Sequence, residues 1–158
     1  MKKSLVAYFS ASGVTAGVAK RLAQAAQADI FEIRPQESYT ETDLNWTDKE
    51  SRSSVEMRDS DCRPALAEAA PDLSVYDVIF VGFPVWWYRE PRIIDTFIEK
   101  CNLEGKTVVP FATSGGSEIG LSGENIQVLA PRATVHKGQR FDEKVSDEDL
   151  YQWAVQWL

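Results

Sequence analysis

Short apolar runs of strand length, alternating with helical periods, constrain this 158-residue chain more than any other feature. Ser4 to Phe9, Ile30 to Ile33, Val75 to Gly82, Lys106 to Thr113 and Ala133 to Lys137 read as five strands. The longer ones are nearly continuous in apolar residues, as strands buried on both faces are. Between them Val14, Val18, Leu22 and Ala25 or Ala26 recur about four apart, and Ile93, Ile94, Phe97, Ile98 and Cys101 share one helical face behind Pro91. Leu150, Trp153, Ala154, Trp157 and Leu158 form a C-terminal stripe, and Ser146 with Asp149 makes a capping box at its start. Such alternation implies βαβ units: an α/β chain with a doubly wound, five-stranded parallel sheet between two helical layers. At this length one domain spanning 1–158 is expected, burying roughly two-thirds of its unfolded surface.

Parallel sheets of this kind bind ligands beyond the carboxyl ends of their strands. Three segments there carry unusual chemistry. After the first strand, Ser10-Ala11-Ser12-Gly13-Val14-Thr15 leads directly into a helix. The unpaired N–H groups and dipole of a helix start favour an anion, to which Ser10, Ser12 and Thr15 add hydroxyls. The turn has no Lys or Arg, which suits a phosphate that is held rather than transferred; simple helix capping by the same hydroxyls is the competing reading. After the third strand, Pro84-Val85-Trp86-Trp87-Tyr88 places three adjacent aromatics in a loop framed by prolines. They cannot all face a core, so at least one ring is expected on the surface or against a planar ligand. After the fourth, Thr113-Ser114-Gly115-Gly116-Ser117 offers flexible backbone and free N–H groups.

Other classes fail on their own motifs. Neither a Walker loop nor a dinucleotide fingerprint is present. A Gly-x-Ser-x-Gly elbow is missing, and no catalytic residue stands out. A phospho-acceptor receiver domain would need acids where Ser10 to Ser12 and Gly82 to Pro84 stand. His136, the single histidine, reads as structural. Cys62 and Cys101 have no metal-ligand spacing and read as free thiols. No run approaches the ~18 apolar residues of a membrane span, and no secretory leader is recognisable, so a cytoplasmic location is expected. With 17 basic and 24 acidic residues the net charge is −7, which disfavours nucleic acid and anionic lipid and favours partners with basic docking surfaces.

The three loops together, in order over essentially the whole chain, resemble the flavodoxins, in particular those with a Pro-x-Trp-Trp loop. The resemblance implies sheet order 2-1-3-4-5 and a tightly held FMN. By it Ser10, Ala11, Ser12, Gly13, Val14 and Thr15 would hold the phosphate. Pro84, Val85, Trp86, Trp87 and Tyr88 would line the ribityl chain and ring, and Thr113, Ser114, Gly115 and Gly116 would bond its pyrimidine end. Two positions depart from the pattern: Val14, where many flavodoxins have Asn, and Glu118, where related chains often have Gly.

Two functions follow as expectations. One is an electron carrier docking on redox partner proteins as a monomer or weak dimer. The other is an FMN-dependent NAD(P)H:quinone-type oxidoreductase. A cofactor-free interaction protein is a third.

The polar stretch 35–72 is long for a connection and implies a lid or hidden structure, with a helix from about Asp48 to Arg58 opened by a Thr47–Glu50 capping box. Tyr39 and Trp46 within it would either cover the ligand or anchor the segment.

Overall fold

A computed structural model describes residues 2–158. The elements run β1 (Ser4–Tyr8), α1 (Val14–Ala26), β2 (Asp29–Glu32), α2 (Arg52–Arg58), β3 (Val78–Pro84), α3 (Arg92–Lys100), β4 (Thr107–Thr113), α4 (Ser122–Leu129), β5 (Thr134–Val135), β6 (Gln139–Phe141) and α5 (Asp147–Ala154), closed by a 3-10 turn (Val155–Trp157). The strands pair in parallel in the order β2-β1-β3-β4-β5, the predicted order, and β6 also pairs with β4.

That sixth strand corrects the five-stranded expectation. The single strand expected over Ala133 to Lys137 is two short ones: β5 lies beside Thr107–Val108 and β6 beside Phe111–Thr113. The break falls opposite Pro110, which has no N–H to offer a neighbouring strand. The third strand also starts later than expected, at Val78, and ends at Pro84.

Two apolar clusters cover the two sheet faces. On one, Val18 and Leu22 of α1 meet Leu150 and Trp153 of α5 over Val6, Phe80 and Phe111. On the other, Ile93, Ile94 and Phe97 of α3 and Ile126 of α4 pack on Leu5, Ile79 and Val81. β3 lies at the centre of this three-layer arrangement with its first six residues buried. β2 is the edge strand, and its charged Asp29 and Glu32 keep that edge from pairing further.

Segment 35–72 contains hidden structure. Gln36 N–H donates to the Ala65 carbonyl and Ala67 N–H to the Arg34 carbonyl, closing the excursion at its base. The helix within it is shorter than the sequence suggests. Ser51, not Thr47, caps it, accepting from Ser54 N–H. Thr47 Oγ1 instead donates to Asn45 Oδ1, and Asp48 Oδ1 accepts from Glu50 N–H. These local side-chain bonds compete with helix formation and delay its start by one turn. At the C-terminus the expected box holds, with Ser146 Oγ accepting from Asp149 N–H.

Candidate functional site

The carboxyl ends of β1, β3 and β4 finish side by side. Phe9 N–H reaches the Gly82 carbonyl, and Pro84 is in register with Thr113. Beyond them lies a cavity of about 430 Å³. Of the residues expected to bind, Ser12, Val14, Pro84, Val85, Trp86 and Thr113 line it, as do Ser114 and Gly115. A neighbouring cavity of about 460 Å³ shares Val85 and Trp86 and adds Trp87 and Tyr88. Ser10, Ala11, Gly13, Thr15 and Gly116 line neither.

Physical reasons separate the three hydroxyls of the first turn. Ser10 Oγ accepts from the N–H groups of both Gly13 and Ala16, so it caps α1. Thr15 is buried and hydrogen-bonds Thr113 Oγ1 at 2.7 Å, joining the turn to the end of β4. Ser12 alone of the three faces the cavity. Gly13 sits at φ 97°, a left-handed conformation that glycine tolerates best, and this directs the turn into the helix. Val14 and Thr15 open α1 without intrahelical acceptors for their N–H groups, and the helix dipole adds positive potential there.

The aromatic loop is more constrained than its sequence suggests. Trp86 and Arg89 exchange two backbone hydrogen bonds at 3.1 and 3.2 Å around a two-residue turn. Trp87 and Tyr88 occupy it at φ 49° and 64°. Two consecutive positive φ values are the pattern of a type I′ turn, where Asn and Gly are preferred over bulky residues. A left-handed conformation costs such residues about 1–2 kcal/mol each. Gly120 allows it: a Cβ there would lie 2.0 Å from the Tyr88 carbonyl oxygen. Trp86 packs edge-on against Phe9 and Tyr39, with ring centroids 5.7 and 5.4 Å away. Trp87 and Tyr88 remain 44% and 71% exposed. Of the two roles open to Tyr39, the structure assigns it the anchoring one. It carries the Arg52 guanidinium 3.8 Å above its ring and donates its hydroxyl proton to Glu56.

Beneath the loop lies a group the sequence reading missed. Glu90 and Asp95 are buried, joined by Arg89 Nη2, which donates to both at 2.9 and 3.3 Å. Burial, then the neighbouring Asp95 carboxyl, pushes the Glu90 pKa up to about 8, so the pair keeps a proton at neutral pH. The Glu90-Pro91 step beside an amphipathic helix gave no sign of this, because a carboxylate after a loop normally faces water. Asp142 and Glu143 were also missed as cavity residues, coming from a segment whose path sequence does not predict, while Ser117, the last residue of the glycine loop, lines the cavity without having been assigned to the site. Arg140 supports the third loop, donating to the Ser114 hydroxyl and carbonyl oxygens. Glu118 is exposed and lines neither cavity.

The comparisons with known proteins agree with this geometry. A family model for flavodoxin matches residues 3–157. The chain belongs to the flavodoxin family. Among solved structures, it is similar to a protein of Bacteroides uniformis provisionally described as a flavoprotein, at 49% identity over 98% of both chains and TM-score 0.92. A protein of Bacteroides eggerthii described in the same way shares 44% identity over 99% of this chain and 98% of its own, with TM-score 0.93. A flavoprotein of Lactobacillus acidophilus, solved in complex with FMN, has the same fold at 21% identity, 98% and 99% coverage and TM-score 0.71. No protein with a curated description matches the sequence. Among the described residues no helix is long and apolar enough to cross a membrane.

Proposed function

We propose that the protein binds FMN and acts as a flavodoxin-type electron-transfer protein. One observation carries the reading. The start of α1, the Trp86 wall and the Ser114–Ser117 loop surround one cavity, which a phosphate-bearing planar ring system fits. The donor set suits that group: Ser12 and the open N–H groups of α1 favour a phosphate, and the Thr113–Gly115 segment offers uncharged partners to the polar end of a ring. Bound FMN would supply one- and two-electron chemistry, while the protein sets its orientation, its shielding from water and its electrostatic surroundings. Asp142 and Glu143 border the same cavity and would disfavour added negative charge within it, which makes a reduced cofactor a stronger donor. The net charge of −7 supports transient docking on basic partners, and the leading reading includes a cytoplasmic location and a monomer or weak dimer.

A second reading, an FMN-dependent NAD(P)H:quinone-type oxidoreductase, gains support from one feature. A further cavity of about 870 Å³ opens beside Trp87, large enough for a substrate.

Purified protein is expected to be yellow and to release FMN on denaturation; colourless protein that FMN does not reconstitute overturns both readings. Anaerobic NADPH separates them, because rapid bleaching without a partner reductase favours the oxidoreductase. Ser12→Ala should weaken FMN about fivefold to tenfold, the worth of one hydrogen bond, while leaving riboflavin affinity unchanged. Equal losses for the two flavins would place the phosphate elsewhere.

A further inference from the structure

The 870 Å³ cavity differs in chemistry from the rest of the surface. Its walls carry four cationic side chains, Lys49, Arg58, Arg89 and Arg92, and no carboxylate, in a chain whose net charge is −7. Two of the four are committed to the protein. Arg92 is buried and donates to the Glu56 and Met57 carbonyls, tying α2 to α3. Arg89 bridges Glu90 and Asp95 but keeps its buried Nε without an acceptor. Lys49 and Arg58 stand at the mouth, where Arg58 donates only to the Lys49 carbonyl. Neither is among the ion pairs that hold this region, which use Arg52, Arg63, Arg89 and Arg92.

Two indoles complete the site. Trp46 is 74% exposed and Trp87 is held outward by its left-handed backbone. Exposed tryptophans cost hydrophobic free energy that a stacked ligand would recover. The same two residues also line the 460 Å³ cavity, which in turn shares Val85 and Trp86 with the 430 Å³ cavity assigned to the flavin.

We propose that this cavity binds a small planar anion, an aromatic or quinonoid ring carrying a carboxylate, sulfonate or phosphate, stacked on Trp46 and Trp87 with its charge on Lys49 and Arg58. Its meaning as an electron donor or acceptor rests on the FMN reading above; the binding itself does not. The acidic remainder of the surface selects against long polyanions while leaving a compact anion free to enter.

The test is isothermal titration of the full-length protein, as purified, with naphthalenesulfonate and the uncharged naphthalenemethanol. The sulfonate should bind about tenfold tighter at low salt, as expected for two partly exposed charge contacts. The Lys49→Ala/Arg58→Ala double variant should lose that advantage while keeping wild-type affinity for the alcohol. Trp46→Ala should weaken both probes. Equal binding of the two probes, an advantage that survives the double variant, or no binding of either overturns the proposal. FMN affinity, measured separately by quenching of flavin fluorescence, should be unchanged in the double variant. Failure to bind FMN with the anion preference intact would remove the redox role and leave the site.

Discussion

Two turns meet the cavity from neighbouring strands, and they are built in opposite ways. Ser10 to Thr15 obeys local rules: its one left-handed position is Gly13, and its first serine caps the helix it opens. Trp86 to Arg89 breaks them, placing Trp87 and Tyr88 where Asn and Gly belong. The first turn is stable for reasons within itself. The second persists because its surroundings hold it, as strained backbone at functional sites generally does. The difference implies that the aromatic turn is retained for the rings it presents, at a cost in stability.

The strongest way to break this contrast is to remove the outside support. Gly120→Ala places a Cβ against the Tyr88 carbonyl in a backbone already at φ 61°, and should destabilise the protein by about 3 kcal/mol in denaturant titration. A wild-type value would show that the turn does not depend on this contact.

The buried pair under the turn gives the next largest effect. The Glu90 pKa rises from an ordinary 4.5 to about 8 on folding. The folded state therefore holds this proton more tightly than the unfolded state. Its contribution is fully present below pH 4.5 and is lost as pH rises toward 8. Glu90→Gln removes that titration, so wild type should lose about 3 kcal/mol relative to the variant between pH 5 and 8. Parallel stability–pH curves would mean that Glu90 ionises normally.

Two smaller substitutions set the turns directly against each other. Gly13→Ala meets no neighbouring atom, so its cost should be backbone strain alone, about 1–2 kcal/mol. Tyr88→Gly should do the reverse and stabilise by about 0.5 kcal/mol, relieved strain slightly exceeding the entropy glycine adds to the unfolded chain. Destabilisation by Tyr88→Gly would mean that its ring packs in solution.

The parallel α/β class, the capping of α5 and the three ligand-facing loops were legible because each depends on neighbours in sequence: apolar runs, Ser146 three before Asp149, hydroxyls at a strand–helix junction. The sheet order came only with the family resemblance. The shortened α2 was less so, since Asn45 and Asp48 offered the backbone bonds as good as a helical turn. Trp86 could not be distinguished from Trp87 by sequence, yet one is wedged against Phe9 and Tyr39 and the other half-exposed. Nor could the fifth-strand position be seen to divide into β5 and β6.

Local periodicity and turn chemistry, properties of residues a few positions apart, were enough to specify a parallel α/β sheet and the edge at which it receives a ligand. Which hydroxyl faces that ligand, which indole stays free, and where four cations from segments some forty residues apart converge were decided by tertiary packing. The first depends on the Thr15–Thr113 contact between two loops and the other two on the path of 35–72 over α3, and a chain's local preferences contain no term for contacts made at that separation.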